Sequence, residues 1–238
     1  MLHAVVSGAG SGVGQGVALA LVQRGWTVSL LGRRGEALKQ TVALAGSLGS
    51  KMDTYPVDLA REAEVSKVVG AILIKFPEVQ ALVNAAGTNI PRRSLAELSR
   101  SDWKAVLDTN LNGTYYLVSE LLPVMRRQGG GSIINLVSDA GIRANAKAGP
   151  SYVASKFAVS GLTQAINCEE QKNGIRATSI FPGDIDTPLL DKRPVPPKAE
   201  ARVNMLQVAD VTACVLLALE LPSNAVIEEL VLRPRALF

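Results

Sequence analysis

Leu2-His3-Ala4-Val5-Val6-Ser7-Gly8-Ala9-Gly10-Ser11-Gly12-Val13-Gly14 is an apolar run that opens into a glycine-rich turn, and an amphipathic segment, residues 13–23, follows it. That order predicts strand, turn, helix. In such a unit the first N–H groups of the helix and its dipole converge on one point. Glycines then let the backbone come close to an anion placed there, a pyrophosphate in the dinucleotide-binding arrangement. A glycine-rich turn alone is also compatible with a plain flexible loop, so the rest of the chain has to decide.

The alternation continues. Residues 26–31, 52–57, 81–84, 132–137 and 175–181 read as strands; 36–48, 62–76, 101–127 and 151–173 read as helices; helix 208–219 and strand 226–232 close the chain. This predicts an α/β fold: a single Rossmann-type, doubly wound parallel sheet of about seven strands with helices on both faces. Residues 1–238 form one domain in this reading, with no repeat and no composition shift. Ligand then sits at the carboxyl ends of the strands.

A second stretch carries chemistry. In Ser151-Tyr152-Val153-Ala154-Ser155-Lys156-Phe157 a phenol and an ammonium stand at i and i+4, on one helix face with Cβ atoms about 5–6 Å apart. A cation beside a phenol favours the phenolate, so the expectation is a tyrosine pKa lowered toward working pH, as a general acid or base requires. An isolated Tyr-x-x-x-Lys is more often two residues sharing a surface face.

Taken together these stretches resemble the short-chain dehydrogenase/reductase family. Ser7 to Gly14 is similar to its Thr-Gly-x-x-x-Gly-Ile-Gly, Asn84-Ala85-Ala86-Gly87 to its Asn-Asn-Ala-Gly, and Tyr152 to Lys156 to its active-site pair. Ser138, in Ser138-Asp139-Ala140-Gly141, and Pro182-Gly183 with Thr187 resemble two further segments. The resemblance implies a catalytic set of Asn110, Ser138, Tyr152 and Lys156. Tyr152 would exchange the proton, Ser138 would donate to the same substrate oxygen, and Lys156 would tune the phenol and bind ribose hydroxyls. Asn110 would hold a water between Lys156 and solvent. Ser138 stands one residue further from Tyr152 than is common, and Asp139 occupies the usual spacing. An ionised carboxylate cannot donate to a carbonyl, which keeps Ser138 in the role.

For the cofactor, the resemblance implies contacts from Gly8, Ser11, Gly12, Val13 and Gly14, from Asp58 and Leu59 near the adenine, and from Asn84, Ala85 and Gly87 beside its ribose. Tyr152 and Lys156 would reach the nicotinamide end, as would Pro182, Gly183, Ile185 and Thr187. The second strand ends in Leu31-Gly32-Arg33-Arg34 with no acid. Arg33 and Arg34 therefore suit a 2′-phosphate better than a 2′-hydroxyl, and NADP(H) is expected over NAD(H). Residues 189–207, with Pro194, Pro196 and Pro197, read as a substrate lid. Arg143, Lys147, Lys192 and Arg193 are candidates to meet an acidic substrate group.

Composition narrows the alternatives. Hydrophobic residues are 47% and aromatics 4% of the chain, so the core is aliphatic. Cys168 and Cys214 read as small core residues, and the lone His3 has no ligand-type partner at binding spacing, so no metal site is expected. The net charge of +4 is spread over scattered basic pairs, Arg92-Arg93 among them, which argues against a nucleic-acid surface. No signal peptide or membrane span is read, and the expected setting is cytoplasmic. Helices 101–127 and 151–173 carry apolar residues on more than one face, which predicts a homodimer or homotetramer packed on them. The expected function is oxidation of a secondary alcohol or reduction of a ketone by hydride transfer. A sensor that binds the nucleotide without turnover is the alternative, and the survival of both Tyr152 and Lys156 speaks against it. A large substrate domain of the epimerase kind is not read.

Overall fold

A computed structural model describes residues 2–235. Seven strands form one parallel sheet in the order β3-β2-β1-β4-β5-β6-β7, where β1 is His3–Ser7, β2 Thr27–Gly32, β3 Met52–Pro56, β4 Ala81–Asn84, β5 Gly131–Leu136, β6 Ile175–Pro182 and β7 Glu229–Leu232. The order reverses between β1 and β4. At that switch point Ser7 is in register with both Leu31 and Asn84, so the two crossovers leave a crevice there.

Strand residues alternate between two cores, as a pleat buried on both faces requires. Ala4 and Val6 join one cluster with Val17, Leu21, Val211 and Val215; Val5 joins the other with Val69, Ile72, Leu117 and Leu121. The helices over the first face are α1 (Gly12–Gln23), α2 (Gly35–Leu44) and α8 (Val208–Glu220). Those over the second are α3 (Glu62–Lys75), α4 (Arg100–Leu107), α5 (Gly113–Arg127) and α6 (Pro150–Glu170). A one-turn α7 (Ala199–Arg202) lies in the predicted lid.

Three elements differ from the pattern read in the sequence. Helix 36–48 stops at Leu44, because Gly46 takes φ +57° and the chain continues as a 3₁₀ turn. The long helix 101–127 is interrupted by a π turn, Asp108–Asn112, between α4 and α5; such turns often mark functional positions. Strand β7 begins at Glu229 rather than 226.

The cysteines depart from expectation too: Cys168 is exposed and Cys214 only partly buried. Ile166 and Asn167 face inward on α6, which turns Cys168 to the outer side. No described helix is long and apolar enough to cross a membrane.

Candidate active site

The glycine turn is built by close approach. A Cβ on Gly8, whose φ is +68°, would lie 2.8 Å from the Ala86 backbone, and one on Gly14 would lie 2.5 Å from the Gly8 carbonyl oxygen. The turn is thereby clamped between the start of α1 and the loop after β4, and the Ala86 N–H donates to Ser7 Oγ at 3.2 Å. Ala86 thus packs on the glycine turn itself. At the head of α1 the N-cap Ser11 makes no side-chain cap bond, and the first turn holds no acid. Orphan N–H donors and the positive end of the dipole at Gly12, Val13 and Gly14 are consequently available to an anion. Gly12 also touches Thr187: a Cβ there would meet Thr187 Cγ2 at 3.3 Å.

The other residues expected on the nucleotide side lie at the carboxyl ends of β2 and β4 and in the loop after β3. Arg33 and Arg34 are exposed at the end of β2 and form no ion pair among the described residues. Asp58 is engaged locally, its Oδ1 accepting from the Ala60 N–H at 3.2 Å. Leu59 is buried against Gly113 at the start of α5, so its side chain packs in the core and leaves only its backbone to a ligand. Asn84 donates Nδ2 to Asn135 Oδ1 at 2.9 Å, while its buried Oδ1 has no partner among the described residues. Ala85 is partly buried and Gly87 exposed. An unpartnered acceptor at the switch point, uncapped N–H groups and glycine-lined space fit a dinucleotide.

Of the four residues read as catalytic, Asn110 and Lys156 border Gly87, while Tyr152 stands beside Lys156 and Ser138. A Cβ added at Gly87 would lie 3.8 Å from both Asn110 Oδ1 and Lys156 Nζ, with no closer neighbour. Lys156 is buried on α6, its Nζ 5.6 Å from the centroid of the Tyr152 ring, and it donates to the Leu136 carbonyl at 2.7 Å. Ser138 follows the end of β5 with φ +156°, the one described non-glycine residue with positive φ. Its hydroxyl accepts from the Ala140 N–H at 3.2 Å and donates to Asp139 Oδ1 at 3.1 Å.

Asn110 sits in the π turn, 1% exposed. Its Oδ1 accepts from the Thr88 N–H at 2.8 Å, and its Nδ2 donates to the Thr88 carbonyl at 3.0 Å and to Ser155 Oγ at 3.1 Å. The side chain is therefore spent on fixing the loop after β4 against α6.

Electrostatics runs against the sequence expectation. The Tyr152 phenol is pushed up to about 12, not down. Burial is the largest cause; the nearby Ser138 hydroxyl lowers it, Asp139 raises it, and Arg193 and Arg93 lower it. Burial equally pushes the Lys156 ammonium down to about 8. Desolvation is thus the leading cause of both shifts, and Lys156 gives its hydrogen bond to a backbone carbonyl rather than to the phenol.

The wall beyond β6 is held by contacts that no motif announces. Gly183 donates its N–H to the Leu232 carbonyl at 2.8 Å, which secures Pro182 and Gly183 to the last strand. Ile185 bridges to Leu206, and Asp186 donates its N–H to the Leu206 carbonyl at 2.8 Å, so residues 189–207 leave and return at one point. Arg193 forms a bidentate pair with Asp184, and Arg202 binds Asp186 and Asp191. Of the four cations read as substrate candidates, Arg193 is thus already paired, Lys192 donates to Thr88 Oγ1 at 3.0 Å, and Arg143 and Lys147 are exposed. Arg93, read only as half of a basic pair, is instead 5% exposed beside the site.

A doubly wound sheet with a glycine turn at its switch point and a Tyr-Lys pair on the helix after β5 is the architecture of a nucleotide-dependent oxidoreductase, and known proteins of this architecture agree. A family model described as short chain dehydrogenase matches residues 2–196. An uncharacterized oxidoreductase of Staphylococcus saprophyticus is 34% identical over 232 residues, 97% of this chain and 96% of that protein. The alcohol dehydrogenase of Thermococcus sibiricus, complexed with 5-hydroxy-NADP, superposes with a TM-score of 0.87 at 27% identity over 99% of this chain and 97% of that one. The closed form of a serine dehydrogenase complexed with NADP+ reaches 0.91 at 27% identity over 100% and 96%. The chain belongs to the short chain dehydrogenase family and is an oxidoreductase of the kind that acts on CH–OH groups.

Proposed function

We propose that residues 1–238 act as one domain that interconverts a secondary alcohol and a ketone with NADP(H), Tyr152 serving as general acid and base. The observation that carries this is the grouping of Tyr152 with Lys156, whose Nζ is 5.6 Å from the ring centroid, and with the Ser138 hydroxyl, at the carboxyl edge of the sheet. A bound nicotinamide would supply or take up the hydride. Gly12, Val13 and Gly14 would hold the pyrophosphate on backbone N–H groups. Lys156, donating to Leu136 O, stands beside the space over Gly87 where ribose hydroxyls would lie.

With its pKa near 12 the Tyr152 phenol is protonated at neutral pH and is poised to give its proton to a carbonyl oxygen. Ser138 can donate to the same oxygen by turning its hydroxyl from Asp139. Lys156, titrating near 8, can return the proton in the range where enzymes work.

The preference for NADP(H) rests on charge. Arg33 and Arg34 stand at the crevice rim without a carboxylate. The Lys192 ammonium is pushed down by burial first and then by those two arginines, so three cations crowd where a phosphate would relieve them. Homodimers or homotetramers would cover Tyr115 and Phe157, 52% and 44% exposed beside a groove of about 340 Å³ between α5 and α6.

Following NADPH and NADH absorbance over a panel of ketones and aldehydes tests the activity. Consumption of NADPH that is lost in Tyr152→Phe, with a lower Michaelis constant for NADPH than for NADH, is the expected result. Undiminished turnover in the Phe variant would refute the assignment of Tyr152, and a lower constant for NADH would refute the cofactor preference.

A further inference from the structure

Turning the Ser138 hydroxyl toward a substrate oxygen takes away the donor that Asp139 holds. A serine has a single O–H, and here it is given to Asp139 Oδ1 at 3.1 Å. One lone pair of the same oxygen accepts the Ala140 N–H at 3.2 Å. To meet a carbonyl the hydroxyl has to leave the carboxylate, which then lacks a charge-assisted hydrogen bond.

Asp139 is half-buried, and among the described residues no ion pair and no second hydrogen bond reaches its carboxylate. Other acids around the crevice differ. Asp184 is held by Arg193, and Asp186 and Asp191 are held by Arg202. Nor does the local backbone need the Asp139 side chain. It opens a single 3₁₀ turn, Asp139–Gly141, whose N–H groups are taken without it. Ala140 donates to Ser138 Oγ, Gly141 to the Ser138 carbonyl, and Ile142 and Arg143 both to the Asp139 carbonyl. The acid–base step gains nothing from the charge either, because it raises the Tyr152 pKa. A carboxylate drawn partly out of water that braces nothing is a cost to the fold, and a ligand that uses it offsets that cost.

Distances select the group that would use it. The turn is pressed on α6, where a Cβ on Gly141 would lie 2.9 Å from the Lys156 carbonyl oxygen, so Asp139 is fixed beside the Tyr-Lys helix. A substrate oxygen bound to Ser138 Oγ, itself 3.1 Å from Asp139 Oδ1, lies at most about 6 Å from the carboxylate. Oxygens on adjacent carbons are about 3 Å apart when gauche, and a hydrogen bond adds about 2.8 Å. A hydroxyl on the carbon next to the carbonyl therefore spans the gap. An ammonium there would approach the Lys156 charge, whose Nζ is 5.6 Å from the Tyr152 ring centroid, and like charges repel. The neutral donor fits.

We propose that Asp139 is a specificity-determining residue and that the substrate is an α-hydroxy ketone or the vicinal diol formed by its reduction. The second hydroxyl of the substrate donates to Asp139 in place of Ser138, and the Ser138 hydroxyl is thereby released to the reacting oxygen. A ketone without that hydroxyl breaks the Ser138–Asp139 bond with nothing to replace it. This rests on the assignment of Ser138 and Tyr152 to the reacting oxygen.

The test compares kcat/KM with NADPH for ketones that differ only in the neighbouring hydroxyl: hydroxyacetone with acetone, and acetoin with butanone. Because the hydroxyl also activates the carbonyl chemically, the quantity read is the change in each pair's ratio between wild type and Asp139→Ala. The ratio should fall about 10–100-fold, the worth of a hydrogen bond to a charged group. The loss should fall on the hydroxy ketone, with the plain ketone unchanged or faster, since its Ser138 is no longer held. General damage, or a changed Tyr152 pKa, acts on both members and cancels in the ratio. An unchanged ratio overturns the proposal, and so does a wild type that reduces the plain ketones but neither hydroxy ketone. Asp139→Asn keeps the shape and one acceptor without the charge, and should lower the ratio about 3–10-fold. If the alanine variant fails to fold, the asparagine variant decides: a lowered ratio supports the proposal and an unchanged one ends it. A larger Asp139-dependent preference for aminoacetone than for hydroxyacetone overturns the choice of a hydroxyl. Tyr152→Phe separates the two levels. Turnover retained there removes the parent assignment; turnover lost there with an unchanged ratio in Asp139→Ala removes only this inference.

Discussion

Replacing Lys156 by methionine should stabilise the protein while stopping catalysis. Lys156 is 4% exposed, and burial lowers its ammonium pKa from 10.5 to about 8, a difference of about 2.5. At about 1.4 kcal/mol per pKa unit, the charged amine costs the native state roughly 3 kcal/mol at neutral pH. Methionine keeps the apolar stem and removes the charge, but it forfeits the 2.7 Å bond to the Leu136 carbonyl, worth about 1–2 kcal/mol. The net expectation is a gain of about 1–2 kcal/mol, or roughly 2–8 °C in Tm for a chain of this size.

The pH dependence sharpens this prediction. A folded-state pKa below the unfolded value means that the unfolded chain holds the extra proton. The lysine's contribution is therefore present above 10.5 and lost as pH falls through about 8. Wild-type stability should gain about 1.4 kcal/mol per pH unit on this account as pH rises through that window, and the methionine variant should not. Tyr152 opposes the trend only later. Its folded pKa, raised from 10.0 to about 12, removes stability as pH climbs from 10 through 12, which leaves the stretch below 10 clear. Urea denaturation of both proteins at several pH values between about 7 and 10 reads the difference directly. If the variant is no more stable near neutrality, and the gap between the proteins stays constant from about pH 8 to 10, the account of a buried, destabilising ammonium is wrong.

Other perturbations test other parts of the site. Asp139→Asn removes the carboxylate that helps raise the Tyr152 pKa, so the rising limb of alcohol oxidation should move to lower pH; an unmoved limb would show that the carboxylate does not act on the phenol. Gly14→Ala puts a Cβ 2.5 Å from the Gly8 carbonyl oxygen and 2.9 Å from that of Ser7. It should cost about 1–3 kcal/mol in thermal denaturation and weaken NADPH binding in a fluorescence titration. Arg176 joins β6 to the end of α8, donating to Ser132 Oγ and to the carbonyls of Leu219, Leu221, Pro222 and Ala225. Arg176→Met should lower stability by about 2–4 kcal/mol with kcat per folded molecule unchanged, and a melting point equal to wild type would contradict it.

Much of the fold is written locally. Leu2 to Gly14 carries its meaning within one strand, one turn and the head of one helix. Gly8 needs its positive φ, and Gly14 its missing Cβ, whatever the rest of the chain does. The alternation of Ala4, Val5 and Val6 between two cores, like the placement of Tyr152 and Lys156 on one face of α6, follows from a period of two or of 3.6 residues. Such periods can be counted without knowing what lies opposite.

What the chain order leaves open is which side chains lose water, and to what. Arg92 and Arg93 are adjacent and chemically identical, yet one is exposed and the other closed in by carbonyls as far away as Lys192. Cys168 looks like a core residue in the string and lies on the outer face of its helix. The Tyr152 pKa is displaced oppositely to what its lysine neighbour suggests. Sequence by itself determined the doubly wound sheet, the glycine turn and the Tyr-Lys face, because those depend on steric and periodic rules that act between neighbours. Only the tertiary structure decided burial and the charge around the phenol, because desolvation and Coulomb energy depend on segments that meet only when the chain has folded.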